Sequence, residues 1–124
     1  MSQDANSKPL THGEAVAFAR HHVATWNSHD LDAILGLYTD DIELISPLAE
    51  SLTGSPHVVG KLAVRAYFEA GLARYPDLQF RLLETMVGED SVTLMFYGAG
   101  ERLVAEVLFL NSDNRICKVL AHYA

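Results

Sequence analysis

Residues 27–47 read N-S-H-D-L-D-A-I-L-G-L-Y-T-D-D-I-E-L-I-S-P, and the two halves of this stretch follow different periods. Asp30 suits a helix N-cap, and Leu31, Ile34, Leu35 and Tyr38 recur at i, i+3, i+4 and i+7, the spacing of one helix face. From 42 to 46 apolar and polar residues alternate instead, until Pro47 ends the run. The stretch therefore predicts a short helix that gives way at once to a brief strand. Asp40 and Asp41 fall at the turn between them, where adjacent acids read as a solvated cap and turn rather than a catalytic pair.

Upstream, T-H-G-E at 11–14 spells a capping box. Ala15, Phe18, Ala19, His22 and Trp26 then share one helical stripe, which predicts a first helix ending near residue 27. Downstream, small turn-forming residues through Gly54 and Pro56 predict a loop that carries His57. A third helix is expected over 60–75, with Val64, Tyr67, Phe68, Gly71, Leu72 and Tyr75 on one stripe and Pro76 as its stop. Beyond Pro76 the period becomes two, giving strands at 78–87, 91–99, 101–110 and 115–123 in an antiparallel meander. Helices first and strands afterwards define an α+β fold, with three N-terminal helices packed in the concave face of a curved, mainly antiparallel sheet. Residues 1–10 are small and polar and read as a disordered tail, leaving 11–124 as one domain.

The chain has 124 residues and a net charge of −7. That surplus of acid repels phosphate backbones and anionic lipid, so neither nucleic acid nor a membrane is an expected partner. No apolar stretch approaches the roughly 20 residues of a membrane span, the first residues lack the apolar segment of a signal peptide, and the expected location is the cytoplasm. The single cysteine, Cys117, forbids an internal disulfide. No histidine pairs with another ligand type at metal spacing, and neither G-x-S-x-G nor a phosphate-binding glycine loop occurs, so no metal or cofactor is expected.

The late strands are apolar on both rows, Leu103, Ala105, Val107 and Phe109 on one and Val104, Leu108 and Leu110 on the other. Two apolar faces need two covers, and helices supply one. The expectation is a homodimer that covers the other sheet face with a second copy.

The run at 27–47, together with H-V-V-G-K-L-A-V-R-A-Y-F at 57–68, resembles the SnoaL-like and ketosteroid isomerase branch of the nuclear transport factor 2 superfamily. The resemblance covers about residues 12–123. It implies a cone of sheet wrapped around the first helix, an apolar pocket at the open end and usually a dimer. It also implies small-molecule acid–base chemistry without a cofactor, by isomerisation, aldol-type cyclisation or dehydration. Authentic steroid isomerisation is not expected, because those isomerases place a carboxylate base where this chain has Ser46, and a serine hydroxyl is no base near neutral pH. The tyrosine donor of the family's first helix corresponds to His22, a supporting tyrosine on the third helix corresponds to Phe68, and the acid of the late strand corresponds to Glu106. Tyr38 keeps the family's residue.

His22 and Glu106 are thus the candidate catalytic pair, one moving a proton while the other stabilises developing negative charge. A core histidine is the plain structural alternative for His22. For Glu106 the two lines of reasoning diverge. Strand alternation groups it with Arg102, Val104 and Leu108 against a cleanly apolar row and so points it outward, whereas the resemblance points it inward. Phe18, Trp26, Tyr38, Ser46, His57, Phe68 and Tyr123 are the candidate binding residues for a small hydrophobic molecule. The alternative in another class is a non-catalytic ligand-binding or assembly module of the same fold.

Overall fold

A computed structural model describes residues 9–124. The expected tail, 1–10, falls mostly outside these residues, and of its last two members Leu10 packs against the core. Helix α1, His12–Asn27, begins with the complete capping box: Glu14 N–H donates to Thr11 Oγ1 at 3.1 Å and Thr11 N–H donates to Glu14 Oε1 at 2.8 Å. Two of the helix's unpaired N-terminal donors are thereby satisfied. Asp30 caps α2, Leu31–Leu35, by accepting from Ala33 N–H.

Strand β1 runs Tyr38–Ile45, four residues earlier than the alternation at 42–46 suggests. Tyr38 therefore opens a strand instead of closing the helical stripe, because Gly36 ends α2 and its C-cap turns the chain. The loop expected after Pro47 is also corrected: residues Pro47–Thr53 form a short helix, α3. Its signals were local. Ser46 caps it through Leu48 N–H, Pro47 sits in its first turn, and Gly54 closes it in the left-handed region at φ 89°. His57 lies in an edge strand, β2 (His57–Val59), antiparallel to β1.

Gly60 caps α4, Lys61–Arg74, again at φ 89°. The meander follows as β3 Arg81–Val87, β4 Ser91–Tyr97, β5 Leu103–Leu110 and β6 Ile116–Tyr123. The six strands form one sheet in the order β2-β1-β6-β5-β4-β3, antiparallel throughout except that β1 runs parallel to β6. The fold is α+β as expected, with four α-helices among the described residues rather than three.

Strand alternation decides the two sheet faces. Val104 and Leu108 are buried against the helices, and Leu103, Ala105, Val107 and Phe109 point to the outer face, where each is half-buried. The uniformly apolar row therefore faces away from the core, the reverse of what periodicity suggests. Register places Met95 and Leu120 beside Ala105 and Val107, extending the apolar outer face across three strands.

Candidate functional site

The end of α1 anchors one side of the site. Asn27 grips residue 80 at both backbone groups, donating to Phe80 O at 3.0 Å and accepting from Phe80 N–H at 2.6 Å. His29 Nε2 lies 2.6 Å from Leu78 O. These contacts press the segment before β3 onto the helix, so that Phe80 stacks on Trp26 at 5.3 Å and meets Phe96 at 4.5 Å. Phe68, delivered by α4, stands edge-on to Trp26 at 4.6 Å. Trp26 Nε1 donates to Tyr38 Oη at 3.1 Å, which gives a buried indole its required acceptor.

These rings form much of the wall of a cavity between the helices and the inner sheet face. Tyr67, Tyr75, Phe96 and Tyr123 continue it, with Leu44, Leu48, Val104, Val119 and Ala121 between them. It holds about 630 Å³ of atom-free space, its open mouth included. Ser46 and Glu106 are its non-aromatic polar members. Ser46 is 2 % exposed and already accepts from Leu48 N–H at 3.1 Å, so its hydroxyl is committed to the cap of α3.

Glu106 stands on β5 between Leu94 and Ala121, half-buried and facing the void. Its carboxyl makes no hydrogen bond with another described residue. Burial in these apolar surroundings lifts it from the ordinary carboxylate range to about 7. The three phenols around it shift the same way. Burial pushes Tyr67 up to about 12, opposed by the Ser46 hydroxyl and assisted by Glu106. Burial and then Glu106 raise Tyr38 and Tyr123 as well.

The structure thus brings Glu106, Trp26, Tyr38, Ser46, Phe68 and Tyr123 to one cavity. It does not bring His22, Phe18 or His57 there. His22 is 1 % exposed and sits in the core, 6.2 Å from the Phe18 ring and edge-on to Tyr38 at 6.4 Å. Neither ring nitrogen has a hydrogen-bond partner, and burial, with His21 adding to it, depresses its pKa to about 4. The Tyr38 ring carries the cavity wall where His22 was expected to do so. His57 is exposed on the edge strand. Tyr67 and Tyr75 were legible as stripe residues of a helix but not as site residues, while Phe80, Phe96 and Ala121 carried no signal beyond alternation. Among the described residues no group of three or more metal-type ligands converges, and no helix is long and apolar enough to cross a membrane.

Helices over one face of a curved six-stranded sheet, with an apolar cavity between them that holds one acid, define an α+β fold. The chain belongs to the SnoaL-like domain family, whose profile matches residues 19–115. A SnoaL-like protein of unknown function from Burkholderia thailandensis is 42 % identical, with 94 % of this chain and 99 % of that chain aligned at a TM-score of 0.87. Two more distant structures share the fold. A protein of the SnoaL-like family from Agrobacterium tumefaciens, provisionally named an isomerase, is 18 % identical over 89 % of this chain and 97 % of that one, TM-score 0.70. The epoxide hydrolase/cyclase-like enzyme SalBIII of pyran ring formation in salinomycin is 16 % identical over 90 % and 92 %, TM-score 0.68. No curated protein matches the chain.

Proposed function

We propose that the cavity binds a small, largely apolar molecule and that Glu106 exchanges a proton with it without a cofactor. The observation that carries this reading is an acid held near neutrality in an aromatic cavity, its carboxyl without a hydrogen-bond partner among the described residues. Such a group is a competent acid and a competent base at the same pH. Tyr38, fixed by the Trp26 N–H, and the phenols of Tyr67 and Tyr123 are protonated donors beside it, suited to charge that develops on a substrate oxygen. Isomerisation, cyclisation and dehydration all fit one proton-transfer group with neighbouring donors. Steroid isomerisation does not, since Ser46 is a cap and no base. His22 supports the Tyr38 wall as a neutral core ring and takes no part in the chemistry.

Acidic composition and a single cysteine favour work in the cytoplasm, and the apolar outer row favours a homodimer through the sheet face. A second reading, a ligand-binding or assembly module without catalysis, draws on Ser46, which stands where a carboxylate base would be needed. Mass spectrometry of small molecules that co-purify with the protein tests the proposal, with Ala121→Leu as a blocked-cavity control. The wild type should carry an apolar compound that the blocked variant lacks. If both are equally empty and no member of an aromatic compound library alters Trp26 fluorescence, the cavity is not a ligand site.

A further inference from the structure

The cavity is electrostatically unbalanced, and the imbalance narrows what can fill it. Among the described residues no lysine or arginine lines it. Arg102 lies over the Tyr123 ring, 4.7 Å from its centroid, but is exposed and outside the lining. The Trp26 N–H is taken by Tyr38, and the Ser46 oxygen already accepts from Leu48 N–H. Glu106 is the one acid of the lining, and its carboxyl makes no hydrogen bond with another described residue. Every shifted group facing it, Tyr38 from β1, Tyr67 from α4 and Tyr123 from β6, is held in its uncharged form, first by burial and then by the nearness of Glu106. A full negative charge would find no cation here, only phenol hydroxyls, and would stand against the Glu106 carboxylate. A positive charge would be favoured twice, by the carboxylate and by the negative faces of the aromatic wall.

We infer that the ligand of this cavity carries a protonated nitrogen, as a small amine in its ammonium form that pairs with Glu106 while its hydrocarbon part lies against Trp26, Phe68 and Phe80. This rests on the reading of the cavity as a ligand site with Glu106 at its polar end, and it goes further by fixing the sign of the ligand's charge. An ammonium also offers several N–H donors, matching the two carboxylate oxygens and the phenol oxygens that surround it. A carboxylate or phosphate ester of the same size would find neither a cation nor an unused N–H donor.

Trp26 is the one tryptophan of the chain and lines the cavity, so its fluorescence reports occupancy directly. Three probes on one skeleton separate charge from shape: 2-phenylethylammonium, 2-phenylethanol and phenylacetate. At about pH 8 the ammonium should bind at least about tenfold more tightly than the alcohol, with phenylacetate weakest. At about pH 5.5, where Glu106 keeps its own proton, that preference should shrink to about twofold or less, and Glu106→Gln should lose it at either pH. If the alcohol or phenylacetate matches the ammonium at pH 8, or the preference survives in Glu106→Gln, the inference is overturned while the ligand site stands. Silence with all three probes, repeated by calorimetry, overturns the inference and the ligand site together. Should Glu106→Gln fail to fold, the wild-type ratio between the two pH values carries the same decision.

Discussion

Two titratable groups inside this domain, one buried and one half-buried in the cavity wall, shift in opposite directions across the same pH interval, and their removal one at a time should expose each. His22 falls from 6.5 to about 4 in the folded chain. Between those values the unfolded chain binds a proton that the folded chain refuses, so the stability His22 leaves intact above pH 6.5 is lost as pH falls towards 4. Glu106 rises from 4.5 to about 7. Here the folded chain holds the proton and the unfolded chain releases it, so stability is intact below about 4.5 and lost as pH climbs through 7. Each contribution amounts to about 1.4 kcal/mol per pH unit, up to about 3 kcal/mol over the full shift. Between pH 5 and 6.5 their opposite pH slopes nearly cancel in the wild type, although both are losses of stability.

Urea unfolding from pH 4 to 8, at fixed protein concentration, resolves them as differences from wild type. His22→Phe, which keeps a ring against Phe18, should become increasingly stabilising as pH drops, reaching about 3 kcal/mol at pH 4. Glu106→Gln should become increasingly stabilising as pH rises, reaching about 3 kcal/mol at pH 7.5. The common background of exposed carboxylates drops out of both differences. A His22→Phe difference that stays level across the interval would mean that the imidazole titrates normally in the fold and has water or a partner. A level Glu106→Gln difference would place the carboxyl in solvent and remove the basis for its role in the cavity.

Three further outcomes check the local reasoning. Tyr38→Phe strips the acceptor from a buried indole N–H and should cost about 1–3 kcal/mol, read by urea unfolding, with a shift in Trp26 emission. Gly60→Ala forces a side chain into φ 89° at the head of α4, where a Cβ meets nothing within 4 Å, so the loss of about 1–2 kcal/mol in thermal or urea unfolding is purely conformational. Val107→Lys places a charge in the middle of the outer apolar row; sedimentation at micromolar concentration should show a dimer for the wild type and a monomer for the variant, and a wild-type monomer would refute the covered face.

Much of the fold was written in local signals strong enough to survive tertiary context. The T-x-x-E box, Asp30 before an apolar run, Gly60 before the third stripe and Pro76 after it each fix one backbone group or one dihedral, and each element starts or stops within a few residues of its signal. The misread segment at 47–56 failed for the same physical reason that the others succeeded. Ser-Pro followed by Gly54 carries both turn and cap chemistry, and the packing of Leu48, Ala49 and Leu52 on the core favours the seven-residue helix.

The site was harder because periodicity measures contrast between two faces and carries no sign. On β5 it separates Leu103, Ala105, Val107 and Phe109 from Val104, Glu106 and Leu108 and assigns the cleaner row to the core, as it would in a sheet with one face in water. The assignment inverts when the inner face is interrupted by a cavity that holds an acid and the outer face is apolar enough to need a cover of its own. Arg102, one residue before the strand, deepened the error by making the inner row look solvated. The two features are linked. A strand can place its single carboxyl inside only if its hydrophobic row is free to face outward, so the buried position of Glu106 and the apolar outer face are consequences of one register. A one-residue slip of β5 would send Glu106 to the surface and Ala105 and Val107 into the cavity, abolishing the acid and the outer patch in the same step.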